Sequence, residues 1–293
     1  MRGIGVLTRT LGDVIMVNTL ARNIQLKYGE NIELDWIVEK SYVDIVKNNP
    51  DIKNVIVIES MGKEWDFVLD VISHNYDEVF FFQQITPEDG FWHQNDKYRF
   101  KNLIDFYAKR GCIELIDKKL RWYNFSDTIE VGQGKIVVVH TTTLGDAKNW
   151  DKFGDLLVRL LSEGFTVYQV GAVSDVLIGI SETYDLRGKL SLPEIATLLR
   201  DKCSCFVGLD SGLSFMAAAV DVPTVVIMGA SVTVTSGPWG TNVRHMLSDT
   251  RDECKDRRCH ALYNKCKFND KCINRIRIED VISKIKEVAI EKS

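Results

Sequence analysis

Four segments put polar or charged residues where an apolar, strand-like run gives way to a helical pattern. Thr8-Arg9-Thr10-Leu11-Gly12-Asp13 follows residues 4–7. His140-Thr141-Thr142-Thr143, with Lys148-Asn149-Trp150 just beyond, follows 136–139. Gly171-Ala172-Val173-Ser174-Asp175 follows 166–170. Asp210-Ser211-Gly212 follows 205–207 and opens a run of small residues ending in Ala217-Ala218-Ala219. Hydroxyls, backbone N–H groups and one ammonium at such a junction suit a diphosphate, and a helix start adds partial positive charge. A carboxylate there has two readings. Asp13 is an N-cap or a chemical group; Asp175 is a cap or a ligand for ribose hydroxyls. Gly12 suits a tight turn. No Walker spacing is present, which argues against a P-loop ATPase.

These segments need a scaffold that brings strand ends to one edge. Apolar runs at 4–7, 32–38, 54–58 and 79–82 alternate with helical periods such as Val14, Val17, Leu20, Ala21 and Ile24. The run at 79–82 shows little alternation and reads as buried on both faces. After Gly132-Gln133-Gly134, a linker, a second series begins: strands at 136–139, 166–170, 205–207 and 225–228, and helices at 153–161, 192–199 and 213–220. An amphipathic helix at 278–290 ends the chain. Strand–helix alternation predicts parallel, doubly wound α/β sheets. The expected division is 1–133 and 134–293. Residues 84–99, with Phe91, Trp92, His93 and Tyr98, read as a long loop that either packs sugar or folds onto its own domain.

The 293 residues, 45% apolar and 27% charged, suffice for two such domains. No apolar run reaches the ~18–20 residues needed to span a bilayer, and a cytoplasmic location is expected. Residues 1–133 carry 16 basic against 21 acidic side chains, residues 244–293 carry 13 against 9. The first half thus offers no positive field for nucleic acid or anionic lipid, and membrane contact is at most peripheral. Cys112, Cys203 and Cys205 read as small buried hydrophobes. Cys254, Cys259, Cys266 and Cys272 fall within 19 residues. They read as a structural zinc or iron site, with His260 as a substitute ligand, or as two disulfides, or as four thiols. The basic residues among them, Lys255, Arg257, Arg258, Lys265, Lys267 and Lys271, would offset thiolate charge.

Together these motifs resemble glycosyltransferase family 9, the ADP-heptose:lipopolysaccharide heptosyltransferases and their relatives, over nearly the whole chain. The resemblance rests on Gly12-Asp13-Val14 with Thr19-Leu20, Trp36-Ile37-Val38, Asn49-Pro50-Asp51-Ile52-Lys53-Asn54-Val55-Ile56 and the phosphate-loop segment 140–150. It continues through Leu186-Arg187-Gly188-Lys189-Leu190-Ser191-Leu192, Asp210-Ser211-Gly212, Cys272-Ile273 and Ile278-Glu279-Asp280-Val281.

It implies a GT-B fold: two Rossmann-like domains with a cleft between them, acceptor in the first and nucleotide-sugar donor in the second. It implies inverting transfer of a sugar, heptose from ADP-heptose above all, to a hydroxyl of a lipopolysaccharide-type glycan, with no catalytic metal. By resemblance, Asp13 is the general base. Thr142, Thr143 and Lys148 hold the donor phosphates, and Lys148 also stabilises the leaving diphosphate. Asp175 binds ribose, Leu190 packs on adenine, and Asp210, Ser211 and Gly212 line the diphosphate and sugar. Phe215 departs from the family, many of whose members have His there. The acidic first half departs from what an anionic glycolipid acceptor would favour. Other readings are a relative that heptosylates protein serines and binds iron through clustered cysteines, a non-catalytic nucleotide-sugar binder, and a nucleotide-sugar epimerase.

Overall fold

The computed structural model describes residues 1–6, 10–60, 62–82, 102–229, 237–248 and 271–290. The chain divides into two compact units, Met1–Asn124 and Phe125–Ser293. Residues 125–133, read from sequence with the first half, bond within the second. Ser126 N–H donates to Thr197 Oγ1 (3.0 Å) and Gly132 N–H to the Tyr168 hydroxyl (2.8 Å).

In the first unit β1 (Arg2–Val6) leads to α1 (Leu11–Tyr28), β2 (Glu33–Glu39), α2 (Val43–Val46), β3 (Asn54–Ile58), α3 (Trp65–Asn75), β4 (Glu78–Phe81) and α4 (Leu103–Arg110). The strands form a parallel sheet in the order β3-β2-β1-β4. α1 is buried over residues 14–21, 23 and 24, including Asn18 and Asn23. Asn18 survives burial because it donates to the Ile45 carbonyl (3.2 Å) and accepts from Asn49 (2.7 Å). That bond fixes the Asn49-Pro50-Asp51 segment against α1.

Three sequence expectations change here. Among the described residues β4 pairs with β1 alone, and Val79 is exposed, so the strand is not buried on both faces. Its unbroken apolar run carried no sign of that. Cys112 is exposed just past α4 with φ 52°, outside any strand or helix. Gly12 lies inside the first turn of α1, not in a turn preceding it.

In the second unit β5 (Ile136–Val139), α5 (Phe153–Ser162), β6 (Thr166–Gln169), β7 (Tyr184–Asp185), α6 (Leu192–Asp201), β8 (Cys203–Leu209), α7 (Gly212–Ala219), β9 (Thr224–Met228), β10 (Val243–Leu247) and α8 (Ile278–Ile290) follow in turn. The six strands are parallel, ordered β10-β9-β8-β5-β6-β7. One face packs Val137, Val139, Cys205, Val207 and Leu209 against Leu156, Leu157 and Leu160 of α5 and Val281 and Ile285 of α8. Each such side chain stabilises the fold by about 1.5–3 kcal/mol relative to exposure. On the other face Gly208 lets α7 come close: an added Cβ would lie 3.0 Å from Ser214 Oγ. α6 starts on a capping box, Ser191 with Glu194. No described helix is long and apolar enough to cross a membrane.

Candidate functional site

Strand order fixes where the polar segments meet. From β5 the chain steps to β6 on one side and later returns to β8 on the other, so the loops after β5 and β8 part at the C-terminal edge. That reversal is the usual ligand crevice of an open parallel sheet. His140–Thr143 leave β5 there, and Asp210-Ser211-Gly212 leave β8.

Lys148, in a 3-10 turn spanning Asp146–Lys148, donates to Asp210 Oδ2 at 2.8 Å. Their side chains are 18% and 7% exposed, so the pair is held largely out of water. Thr143 Oγ1 donates to the Asp210 carbonyl (3.1 Å), and its N–H donates to Asn149 Oδ1 (2.8 Å). The Thr143 hydroxyl hydrogen is thus committed to the loop. Thr142 Oγ1 instead accepts from Val176 N–H (2.9 Å) and keeps a hydrogen to donate.

The β6 loop is tied to the same edge. Asp175 accepts from Ala172 N–H (2.8 Å) and from His140 Nε2 (3.2 Å). Burial opposes the Asp175 carboxylate, but these two bonds outweigh it and hold its carboxyl below the usual range. Gly171 has φ 140°, and a Cβ there would run into the Asp175 carboxylate. Gly188 N–H donates to the Gly171 carbonyl (2.8 Å), placing the 186–192 segment alongside. Leu190 is half-buried ahead of the Ser191 cap, and Val173 and Leu144 are exposed apolar side chains on these loops.

The structure therefore brings Thr142, Thr143, Lys148, Asp175, Asp210, Ser211 and Gly212 to neighbouring loops of one sheet edge. Asp13 belongs to the other unit. Thr10, not Asp13, is the N-cap of α1: its hydroxyl faces the Asp13 N–H (3.4 Å) and donates to Asp13 Oδ2 (2.6 Å). The capping role that competed for Asp13 is taken. Its carboxylate is the third residue of a helix that follows β1, beside the β1/β4 reversal of the first sheet. Phe215 is buried and edge-on to Trp239 (6.0 Å), so it serves packing within the unit. Cys254, Cys259, Cys266 and His260 lie outside the described residues, as does the 84–99 loop; Cys272 is half-buried at the start of a 3-10 turn.

Several residues at this edge carried no assigned role in the sequence. Gln169, fully buried, donates to Thr141 Oγ1 (2.9 Å) and the Val176 carbonyl (2.6 Å) and accepts from Ile178 N–H (3.0 Å). A lone polar residue closing an apolar strand was its signal. His245 is half-buried, and the loss of water around it pushes its pKa down; its Nε2 donates to the Pro238 carbonyl (2.9 Å).

Lys271 bonds Asp151 (2.8 Å) and Asp146 (3.2 Å), with Asn274 also on Asp151 (2.7 Å). Its charge ties residues 271–274 to the loop that carries Lys148. Burial lowers its pKa, but the two carboxylates outweigh that and raise it above the usual lysine range. Lys271→Ala is expected to cost about 1–2 kcal/mol, discounted for the exposed carboxylates. That lowers the melting temperature of the unit by about 2–8 °C. Thermal unfolding monitored by circular dichroism checks it; an unchanged midpoint would show that the clamp adds nothing.

The profile of glycosyltransferase family 9 (heptosyltransferase) matches residues 96–266, more than half the chain. Lipopolysaccharide heptosyltransferase 3 of Escherichia coli is 31% identical over 129 residues, which cover 40% of this chain and 37% of that relative. The match thus spans well under half the relative's length. Among solved structures, E. coli ADP-heptose lps heptosyltransferase II superposes with a TM-score of 0.74 at 15% identity, covering 100% of this chain and 99% of that one. The bacterial iron-containing dodecameric glycosyltransferase TibC from enterotoxigenic E. coli H10407 gives 0.72 at 20% identity, covering 100% and 77%. The two parallel α/β units are those of the GT-B heptosyltransferase fold. On its sequence, with its fold in agreement, this chain belongs to glycosyltransferase family 9.

Proposed function

We propose that this protein is an inverting glycosyltransferase that moves a sugar, heptose from ADP-heptose, to a hydroxyl of a lipopolysaccharide-type glycan in the cytoplasm. The observation that supports it is the meeting of Lys148, Asp210, Ser211 and Asp175 at the β5/β8 crevice. Cation, helix start and ribose-type carboxylate there match what a nucleoside diphosphate needs. In this reading the second unit holds the donor and the first the acceptor. Asp13 takes the proton of the acceptor hydroxyl as its oxygen attacks the anomeric carbon opposite the diphosphate. Lys148, the Thr142 hydroxyl and the α7 N-terminus stabilise the departing charge. Leu190 lies under the adenine. Thr143 supports the loop through Asp210. Titrating ADP-, GDP- and UDP-sugars by calorimetry tests the donor assignment: ADP-heptose binds tightest, and preference for another nucleotide would overturn it.

A second reading, transfer to a protein hydroxyl, is favoured by the acidic first 133 residues, which suit an anionic core glycan poorly. Mass spectrometry of candidate protein acceptors after incubation separates the two. A non-catalytic binder would hold donor without ever releasing nucleotide.

Cys254, Cys259, Cys266 and Cys272 are proposed to hold one structural zinc or iron ion, the intervening four, six and five residues letting four thiolates converge. Elemental analysis of protein purified without a metal-affinity tag is expected to find about one metal ion per chain. Trace metal together with four reactive thiols would exclude the site.

A further inference from the structure

His140 directly follows β5, is 7% exposed, and uses both ring nitrogens. Nδ1 lies 3.0 Å from Ser211 Oγ and Nε2 lies 3.2 Å from Asp175 Oδ2. Asp175 is held ionised, so it accepts, and Nε2 carries the hydrogen. In the neutral imidazole Nδ1 is then a lone pair, and the Ser211 hydroxyl must donate to it. Ser211 is the N-cap residue of α7, yet its side chain makes no cap bond. An N-cap serine ordinarily spends its oxygen on the helix; this one is turned to His140.

That orientation has a chemical consequence. With its hydrogen on Nδ1, Ser211 can offer a ligand only lone pairs, which repel a diphosphate. One proton added to Nδ1 reverses the bond: the imidazolium donates to Ser211 Oγ, and the Ser211 O–H is released toward the anion. The Asp175 carboxylate on Nε2 favours this. Arg187, which bonds the Asp175 carbonyl, opposes it as a like charge, an effect reduced by its pairing to Asp185 (2.9 Å). On the Ser211 side Asp210 is neutralised by Lys148.

We propose that His140 is a proton-linked positioning residue: it joins the ribose carboxylate Asp175 to Ser211 and takes up a proton when a nucleoside diphosphate enters the crevice. The proposal rests on the donor occupying the β5/β8 edge. Linkage fixes its sign. The complex holds one proton more than the free protein, so affinity for diphosphate is greatest at low pH and falls as pH rises. Asp175→Asn would remove the carboxylate and weaken both tautomer control and proton uptake.

The test is calorimetric titration with ADP at pH 7.5 in two buffers of different ionisation enthalpy, on the full chain and on His140→Asn. The wild type takes up about 0.3–1 proton more per ADP than the variant, and its affinity falls between about pH 6 and pH 8 while the variant's is flatter. Equal proton counts overturn the proposal and leave the donor site standing. Failure of the wild type to bind ADP overturns both. Should the variant not fold, the His140 ring resonance of the wild type decides the matter: its titration midpoint rises on ADP saturation, and an unmoved midpoint refutes the linkage.

Discussion

Asp13→Asn is expected to slow sugar transfer by about 10²–10⁴-fold, the usual cost of removing a general base, while ADP affinity stays within about twofold. The split follows from the fold. Asp13 stands in the first turn of α1, in the unit that does not carry Lys148, Asp175 and Asp210. Asn keeps an oxygen for the Thr10 hydroxyl, which bonds Asp13 Oδ2 at 2.6 Å, so the helix start survives. Lost favourable interaction with the helix dipole costs only about 0.3–1 kcal/mol. Steady-state kinetics with ADP calorimetry read both halves of the prediction. Turnover near wild type would remove Asp13 from the chemistry and leave it a helix-start residue.

Lys148→Ala is expected to weaken ADP binding by about 10–150-fold, equivalent to the 1.5–3 kcal/mol of a hydrogen bond to a charged group. On the proposed reading turnover falls with it, because the same ammonium would stabilise charge growing on the leaving diphosphate. The Lys148–Asp210 pair, 2.8 Å apart with Asp210 almost fully buried, adds a second consequence. Without Lys148 the Asp210 carboxylate meets the diphosphate as a like charge. Asp210→Asn in the Lys148→Ala background is therefore expected to recover part of the lost affinity, and a double-mutant cycle by calorimetry measures the coupling. Unchanged ADP affinity in Lys148→Ala would mean that the ammonium serves only to hold the loop.

The repeating scaffold was legible because its signals are local. β5 and β9 are short apolar runs, and the bounds of α8 follow from its apolar period alone. What escaped is set by distant neighbours. β10 reads Val-Arg-His-Met-Leu, mixed in polarity, and becomes a strand through pairing with β9. β7 has two residues and exists only beside β6. α3 exposes Phe67 and Leu69, which blurs its helical period. Cys112 looked like a core residue, but the chain turns there with positive φ.

The site divides the same way. Asp210-Ser211-Gly212 and 140–148 were visible as strand-end motifs. That His140 lies between Asp175 and Ser211, 35 and 71 residues away, depends on the order β8-β5-β6, which no local pattern states. The Lys271 clamp likewise joins residues 120 apart.

Sugar transfer itself is read by acceptor-dependent release of ADP from ADP-heptose, followed together with mass analysis of the acceptor. Slow release is expected from the donor alone and faster release with a truncated core glycan, the acceptor gaining one heptosyl unit for each ADP set free. Tight ADP-heptose binding with no acceptor-dependent release across glycan and protein acceptors would contradict the assignment as a transferase.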